Sequence, residues 1–346
     1  MLVVMRVTRR RVPRTFPIAV ALTAAALAVS ACSGQVATPT PRLSPSGTAA
    51  KPPPSYTFIL ATPAGMLALD AKGAVLGQVA PLPKDSAPSY PSLAPNKRSI
   101  VFGITLVPTT STGFGSDVWA VDLDGTNLKK LVEHDRENVF YDTPLIDPSG
   151  KWLYVHRRAA IVQNGTYVGN DDSLEKVDLA TKKMTRVTEN AADPTLSPDG
   201  TFLVYVRYEN AAPKGIWRVA TDGSDNRPFF SIRDTWWYMQ APRVSPDGKL
   251  IAFSAAGHNA QSLASGAKVA HLGIPSELFI APIDGKSVRS IAQTNDDTNP
   301  AWSPDGTQII FISGGALSIL TLADGKMQQL QRGDNFFFGD LVWLKP

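Results

Sequence analysis

From residue 56 onward, apolar and polar positions alternate in short runs separated by tight-turn residues, and one arrangement returns five times. The stretches 89–104, 142–157, 192–207, 240–255 and 298–313 align without gaps. Their central prolines, Pro95, Pro148, Pro198, Pro246 and Pro304, recur with a period of roughly 50 residues, which marks a repeat array. In each copy a short strand leads into Ser-Pro-Asp-Gly or a close variant. Proline presets φ for the turn, aspartate bonds back to the turn amides, and glycine takes the left-handed position. The strand that follows is apolar and β-branched or aromatic, as in Leu203-Val204-Tyr205-Val206 and Ile309-Ile310-Phe311-Ile312. A second turn follows at Asp124-Gly125, Asp222-Gly223, Asp284-Gly285 and Asp324-Gly325, between two apolar runs, which signals a hairpin. Each unit is expected to be four antiparallel strands, a to d, with tight a–b and c–d turns.

The ends of the chain complete the pattern. Residues 56–80 supply strands b, c and d with no strand a before them, and residues 338–344 supply a strand a with nothing after it. Joined in one blade, they predict an all-β, six-bladed β-propeller over residues 55–346, whose terminal strands close the ring and remove its open edges. The Ser-Pro-Asp-Gly repeats and the six-blade count resemble the TolB-like propeller family over residues 56–346. That resemblance implies a fold rather than an activity. TolB itself carries an α/β domain ahead of its propeller, where a tether is expected here. Some serine peptidases carry similar propellers, but no Gly-x-Ser-x-Gly nucleophile elbow is present.

Residues 1–31 read as a secretory signal: an arginine-rich stretch through Arg14, then an apolar run from Phe16 to Val29, too short for a comfortable membrane span. The sequence Val29-Ser30-Ala31-Cys32 resembles the lipobox of bacterial lipoproteins, which implies cleavage before Cys32 and lipidation of that residue. Residues 32–54 hold six prolines, no acid and no aromatic residue, too little apolar area to bury. They are expected to form a semi-extended linker of roughly 3 Å per residue, enough to hold a domain several tens of Å above a bilayer.

Charge changes the picture in one respect. The 34 basic residues exceed the 30 acidic ones, but five of the arginines (Arg6, Arg9, Arg10, Arg11 and Arg14) lie in the signal. Without them the balance is slightly acidic, so no standing basic surface remains to displace counterions from nucleic-acid phosphates. The single cysteine excludes disulfides within the chain and multi-cysteine metal sites.

Strand direction sorts the connections onto two faces. The a–b and c–d turns share one and are minimal. The b–c and d–a connections share the other, with long b–c loops expected at 105–116, 158–172, 208–215 and 255–276. Extra chain on one face of a rigid repeat scaffold is where recognition resides. The candidate binding residues on that face are Tyr90, Tyr141, Asp142, Arg157, Arg207, Trp236, Trp237, Tyr238, Asp297 and Phe337. Their aromatic rings either capture a ligand or plug the space between blades. Arg157 and Arg207 stand at matching offsets after Pro148 and Pro198, which places both near the channel mouth.

Catalytic patterns are absent. His134, His156, His258 and His271 are scattered without metal-ligand spacing, and Asp171-Asp172 or Asp296-Asp297 would serve glycoside hydrolysis only if held about 5–10 Å apart across a sugar. The sequence is thus read as an extracytoplasmic, membrane-anchored propeller that binds an envelope protein or peptide. It is expected to be monomeric, without metal, cofactor or nucleic acid. A carbohydrate-active or otherwise hydrolytic propeller using the aromatic face is the alternative.

Overall fold

The computed structural model describes residues 56–109, 113–209, 212–230, 236, 238–256, 276–337 and 339–345, all within the compact unit Thr48–Pro346. The expected signal, the linker with Cys32, and Trp237 lie outside these residues. Apolar alternation builds a series of antiparallel meanders. The first is β1 (Phe58–Thr62), β2 (Gly65–Leu69) and β3 (Val75–Gln78). Next come β4 (Ala87–Leu93), β5 (Ser99–Thr109), β6 (Gly113–Asp122) and β7 (Lys129–Val132), then β8 (Val139–Ile146), β9 (Trp152–Gln163), β10 (Thr166–Asp178) and β11 (Met184–Glu189). The fourth is β12 (Ala191–Leu196), β13 (Phe202–Glu209), β14 (Ala212–Ala220) and β15 (Arg227–Pro228), and the fifth is β16 (Tyr238–Val244), β17 (Leu250–Ala256), β18 (Ser276–Pro282) and β19 (Arg289–Thr294). The last is β20 (Ala301–Trp302), β21 (Gln308–Ser313), β22 (Ala316–Thr321) and β23 (Met327–Arg332), after which β24 (Asp340–Trp343) ends the chain. β24 pairs antiparallel with β1, Trp343 opposite Phe58 and Val342 opposite Ile59, so the two ends of the propeller share one sheet.

Among the described residues the strands form four four-stranded sheets and one of eight strands, not separate four-stranded blades throughout. A short parallel pairing of β6 with β8, Gly115 opposite Val139 and Ser116 opposite Phe140, joins two of the meanders. Gly115 permits this, because a Cβ there would overlap the Val139 carbonyl oxygen. The expected b–c loops also prove to be paired strands. β9 and β10 stay paired, through one bulge between Tyr167 and Gly169, as far as Gln163 opposite Thr166, where Asn164 (φ 51°) and Gly165 (φ 77°) form a two-residue turn. The run Ala159-Ala160-Ile161-Val162 is uncharged and β-branched toward its end, so the ladder continues past the sheet instead of loosening into a loop. Most of 255–276 falls outside the described residues.

The core lies between sheets. One apolar cluster joins β1 and β2 to β5 and β6, and others follow round the chain; the last returns from β21 and β22 to Phe58, Leu60 and Trp343. The cycle of contacts is therefore closed. At the a–b turns, Ser197 Oγ accepts from the Phe202 amide (3.1 Å) while donating to Asp199 Oδ1 (2.6 Å), and Ser245 and Ser303 do the same work in their own turns. Successive turns also lie close together: a Cβ added to Gly200 would stand 2.8 Å from Pro148, one on Gly248 3.6 Å from Pro198 and one on Gly306 3.7 Å from Pro246.

Candidate functional site

A cavity of about 630 Å³ opens where the innermost strands begin and the second strands end, the end carrying the long hairpins. Its shape follows from a repeated local device. In β4, β8, β12 and β16 the residue before a proline takes positive φ: Tyr90 (49°), Thr143 (50°), Asp193 (48°) and Ala241 (50°). Each coincides with a register shift against the next strand, a bulge that re-aims one side chain. The left-handed region is costly for a side chain, and most of all for a β-branched residue such as Thr143. Here the bulge places Tyr90, Thr143 and Asp193 on the cavity wall and frees amides for acceptors of neighbouring sheets. The Tyr90 amide donates to Asp340 Oδ2 (2.9 Å) and the Ala241 amide to Asp193 Oδ2 (2.7 Å). Asn299 Nδ2 donates to the other Asp340 oxygen (2.7 Å), and Arg243 Nη1 to Asp193 Oδ1 (3.0 Å).

Burial dominates the electrostatics of this floor. It raises the Asp340 carboxyl above its ordinary value, with Asp193 adding to the rise and the Tyr90 amide, Arg243 and Asn299 opposing it. The Tyr90 phenol is pushed well up, by burial first and then by Asp340, Asp142 and Asp193. Higher in the cavity Arg158 reaches Asp142 (3.2 Å) and His156 Nε2 lies 2.8 Å from Asp172. A smaller chamber of about 220 Å³ continues below and shares Tyr90, Thr143, Asn299 and Asp340 with the upper one.

Of the residues singled out from the sequence, Tyr90, Asp142, Tyr238, Asp297 and Phe337 line the upper cavity. Phe337 follows a 3₁₀ turn, Asp334–Phe336, that buries Phe336 and leaves Phe337 half exposed. Tyr141, Arg157, Arg207 and Trp236 do not line it. Tyr141 is core, its phenol pushed up to about 12 mainly by burial. Trp236 packs among Phe230, Phe253 and Phe279 with ring centroids 5.5–5.9 Å apart, so this aromatic fills the gap between sheets. Arg157 and Arg207 are not at the channel mouth. Strand alternation sends His156 and Arg158 to the cavity and Arg157 to the opposite face, where it meets Asp135 at 3.1 Å. Arg207 donates to the Glu189 carbonyl (2.8 Å) and lies over the Trp217 ring.

The sequence reading missed Asp193, Tyr208, Asn299 and Asp340. The signal for the first and third was the second proline of each repeat: Pro91, Pro144, Pro194, Pro242 and Pro300 each stand four residues before the turn proline. A further buried cluster stands apart from the cavity. Asp117 accepts from the His134 amide (2.9 Å) and from Lys130 (2.9 Å), and His134 Nδ1 lies 2.5 Å from it. Burial alone would raise the Asp117 carboxyl, but these hydrogen bonds outweigh it and hold it low. The neighbouring Ser116 hydroxyl is engaged with the Tyr141 backbone, so no nucleophile completes the group. Among the described residues no three His, Cys, Asp or Glu side chains converge to hold a metal ion; His258 and His271 lie outside them.

No protein-family model matches the chain, and no curated protein does. Solved structures do. TolB from Acinetobacter baumannii is 18% identical with a TM-score of 0.61, over 84% of this chain and 66% of that one. The chain thus spans about two thirds of that protein's length. A putative TolB from Agrobacterium tumefaciens is 14% identical (TM-score 0.55), over 84% of this chain and 93% of that one. An oligogalacturonate lyase from Vibrio parahaemolyticus is 13% identical (TM-score 0.51), over 79% and 74%. At these identities the likeness establishes the fold, a TolB-like β-propeller.

Proposed function

We propose that the chain is an extracytoplasmic propeller, anchored by lipid on Cys32, that binds a protein or peptide segment of the cell envelope in the cavity at its hairpin face. The cavity carries this reading: about 630 Å³ lies within the range of ligand sites, and its wall draws side chains from nearly every sector of the propeller. We count the eight-stranded sheet as two blades, β4–β7 and β8–β11, because only two residue pairs join them and an apolar cluster separates them as it does the other sheets. With β24 and β1–β3 as one blade, the ring then has six.

β1 is the second strand of its blade, so it begins at the end of the a–b turns, opposite the cavity. The likeness to an oligogalacturonate lyase does not favour a polyuronate substrate here, since six aspartates line the cavity and would repel it.

Photo-crosslinking in the native envelope tests the reading. A photoreactive residue at position 337 should trap a discrete partner, and Tyr208→Ala should cut the yield severalfold without moving the melting temperature. The same probe at Lys286, in an exposed turn of the opposite face, should trap nothing. Crosslinks from position 286 and none from 337 would assign recognition to the other side.

A further inference from the structure

The β9–β10 hairpin rises past the sheet that carries it. β8 pairs with β9 only as far as Ala159, and β11 with β10 only from Ser173, so residues 160–172 stand as a two-stranded ribbon. No charged residue falls between Arg158 and Asp171. The ribbon instead presents Ile161, Val162, Tyr167 and Val168, each between 40% and 60% exposed. Apolar side chains scattered singly over a surface need no partner, but neighbours on one projecting ribbon mark a place of contact.

Register decides which way these side chains face. His156, Arg158, Ala160 and Val162 share one side of β9, and their partners on β10 are Leu174, Asp172, Asn170 and Tyr167. His156, Arg158, Asn170 and Asp172 line the cavity, so Val162 and Tyr167 continue the same wall above it. The bulge between Tyr167 and Gly169 is what brings the tyrosine there. In an unbroken ladder Val168 would stand opposite Val162, and Tyr167 would point to the other side with Ile161. Gly169, at φ 154°, supplies the backbone conformation that the bulge requires. The foot of the wall is fixed. Phe140 lies opposite Arg158, whose guanidinium sits 4.8 Å over its ring, and Phe114 meets Phe140 edge-on at 5.3 Å. The β6–β8 pairing at Gly115 and Ser116 holds these groups in one sheet.

We infer that this ribbon is a subsite for one apolar side chain of an extended peptide, which enters the cavity past Arg158 and lays an aromatic or branched apolar residue against Val162 and Tyr167. The inference rests on the peptide-binding reading above and adds to it the place where the sequence of the peptide is read. From Arg158 to Val162 the wall rises about 13 Å, and an extended segment beside it rises at the same rate, so its apolar residue stands about four positions from the residue level with Arg158. The wall is continuous with the cavity, which favours a segment already held there. A bilayer is disfavoured by the crest of the ribbon: the polar turn Gln163-Asn164-Gly165-Thr166 would have to enter it ahead of every apolar side chain.

Selection of random decapeptides, displayed on phage, against the full chain tests the inference. The selected peptides should carry an aromatic or branched apolar residue, and labelled copies should bind the intact chain in fluorescence anisotropy. Val162→Ser with Tyr167→Ser should weaken them about tenfold, while Tyr167→Phe should leave them unchanged. Ile161→Ser, on the other side of the same ribbon, should have no effect. These positions are exposed, so melting curves should match the wild type; Tyr167→Ser alone gives the same reading if the pair melts early. The inference falls if no peptide is selected, if the selected peptides lack an apolar residue, if the cavity-side pair binds them as the wild type does, or if Ile161→Ser weakens them as much. It falls equally if a photoreactive residue at position 167, in the native envelope, crosslinks phospholipid or a second copy of the chain. A partner crosslinked from position 337 alongside any of these results would leave the cavity reading standing and remove only the ribbon subsite.

Discussion

A single methyl group distinguishes the turns that look alike. Gly200 and Gly306 occupy the same position of the same motif with φ of 73° and 72°. A Cβ on Gly306 would meet the Pro246 ring at an ordinary 3.7 Å, but one on Gly200 would stand 2.8 Å from Pro148 Cδ, a ring atom that cannot swing away. Gly306→Ala should therefore cost about 1–2 kcal/mol, the left-handed penalty alone, and Gly200→Ala measurably more, as denaturant midpoints would show. Equal costs would mean that the turns do not press on one another. The turn residues themselves were legible in the sequence because their chemistry is local: Ser, Pro, Asp and Gly act within a few residues. The bulge at Tyr90, Thr143, Asp193 and Ala241 was not. Nothing in a Thr-Pro or Ala-Pro pair specifies positive φ, which here follows from the adjoining strand and from acceptors such as Asp340, far away in sequence.

At the scale of the strand, periodicity read well and direction read less well. The pairing of β24 with β1 followed from counting strands, since a blade without its first strand needs one from elsewhere. Which face of β9 carried Arg157 did not follow, because matching offsets fix position along a strand but not which side faces the channel. β24 also sets a testable energy. Leu341, Val342 and Trp343 are each about nine-tenths buried, and the Trp343 ring meets Phe58 edge-on at 5.1 Å. Removing such a side chain costs roughly 2–5 kcal/mol, against a typical total stability of about 5–15 kcal/mol. Truncation before residue 340 should give insoluble protein or a sharply lowered melting temperature. A truncated chain that melts like the intact one would show that β24 does not close the ring.

Across the whole molecule, the repeated turns give acid sensitivity a common origin. Asp199, Asp247 and Asp305 sit below their ordinary value of 3.8, chiefly through hydrogen bonds from Ser197, Ser245 and Ser303. The native state then holds these carboxylates ionised where the unfolded chain would protonate them. Their contribution is present above 3.8 and is lost as the pH falls through the folded values. Asp340 has the opposite sign: raised by burial, it keeps a proton in the folded state, so stability declines as the pH climbs from 3.8 toward its folded value. Thermal melts across this range should fall on the acid side. The triple replacement of the turn aspartates by asparagine should flatten that fall, while Asp340→Asn should flatten only the limb above 3.8. An unaltered acid limb in the triple variant would place the effect elsewhere.

The shared sheet of β1 and β24 also carries a consequence in time. Synthesis proceeds from the N-terminus at roughly 5–20 residues per second, so β1 exists for tens of seconds before its partner strand is made. Throughout that interval Phe58 and Leu60, wholly buried in the finished protein, border an open strand edge. The first blade begun is the last completed. A nascent or prematurely ended chain therefore presents an apolar pairing edge that the finished ring does not, and that edge stays open until the last strand arrives.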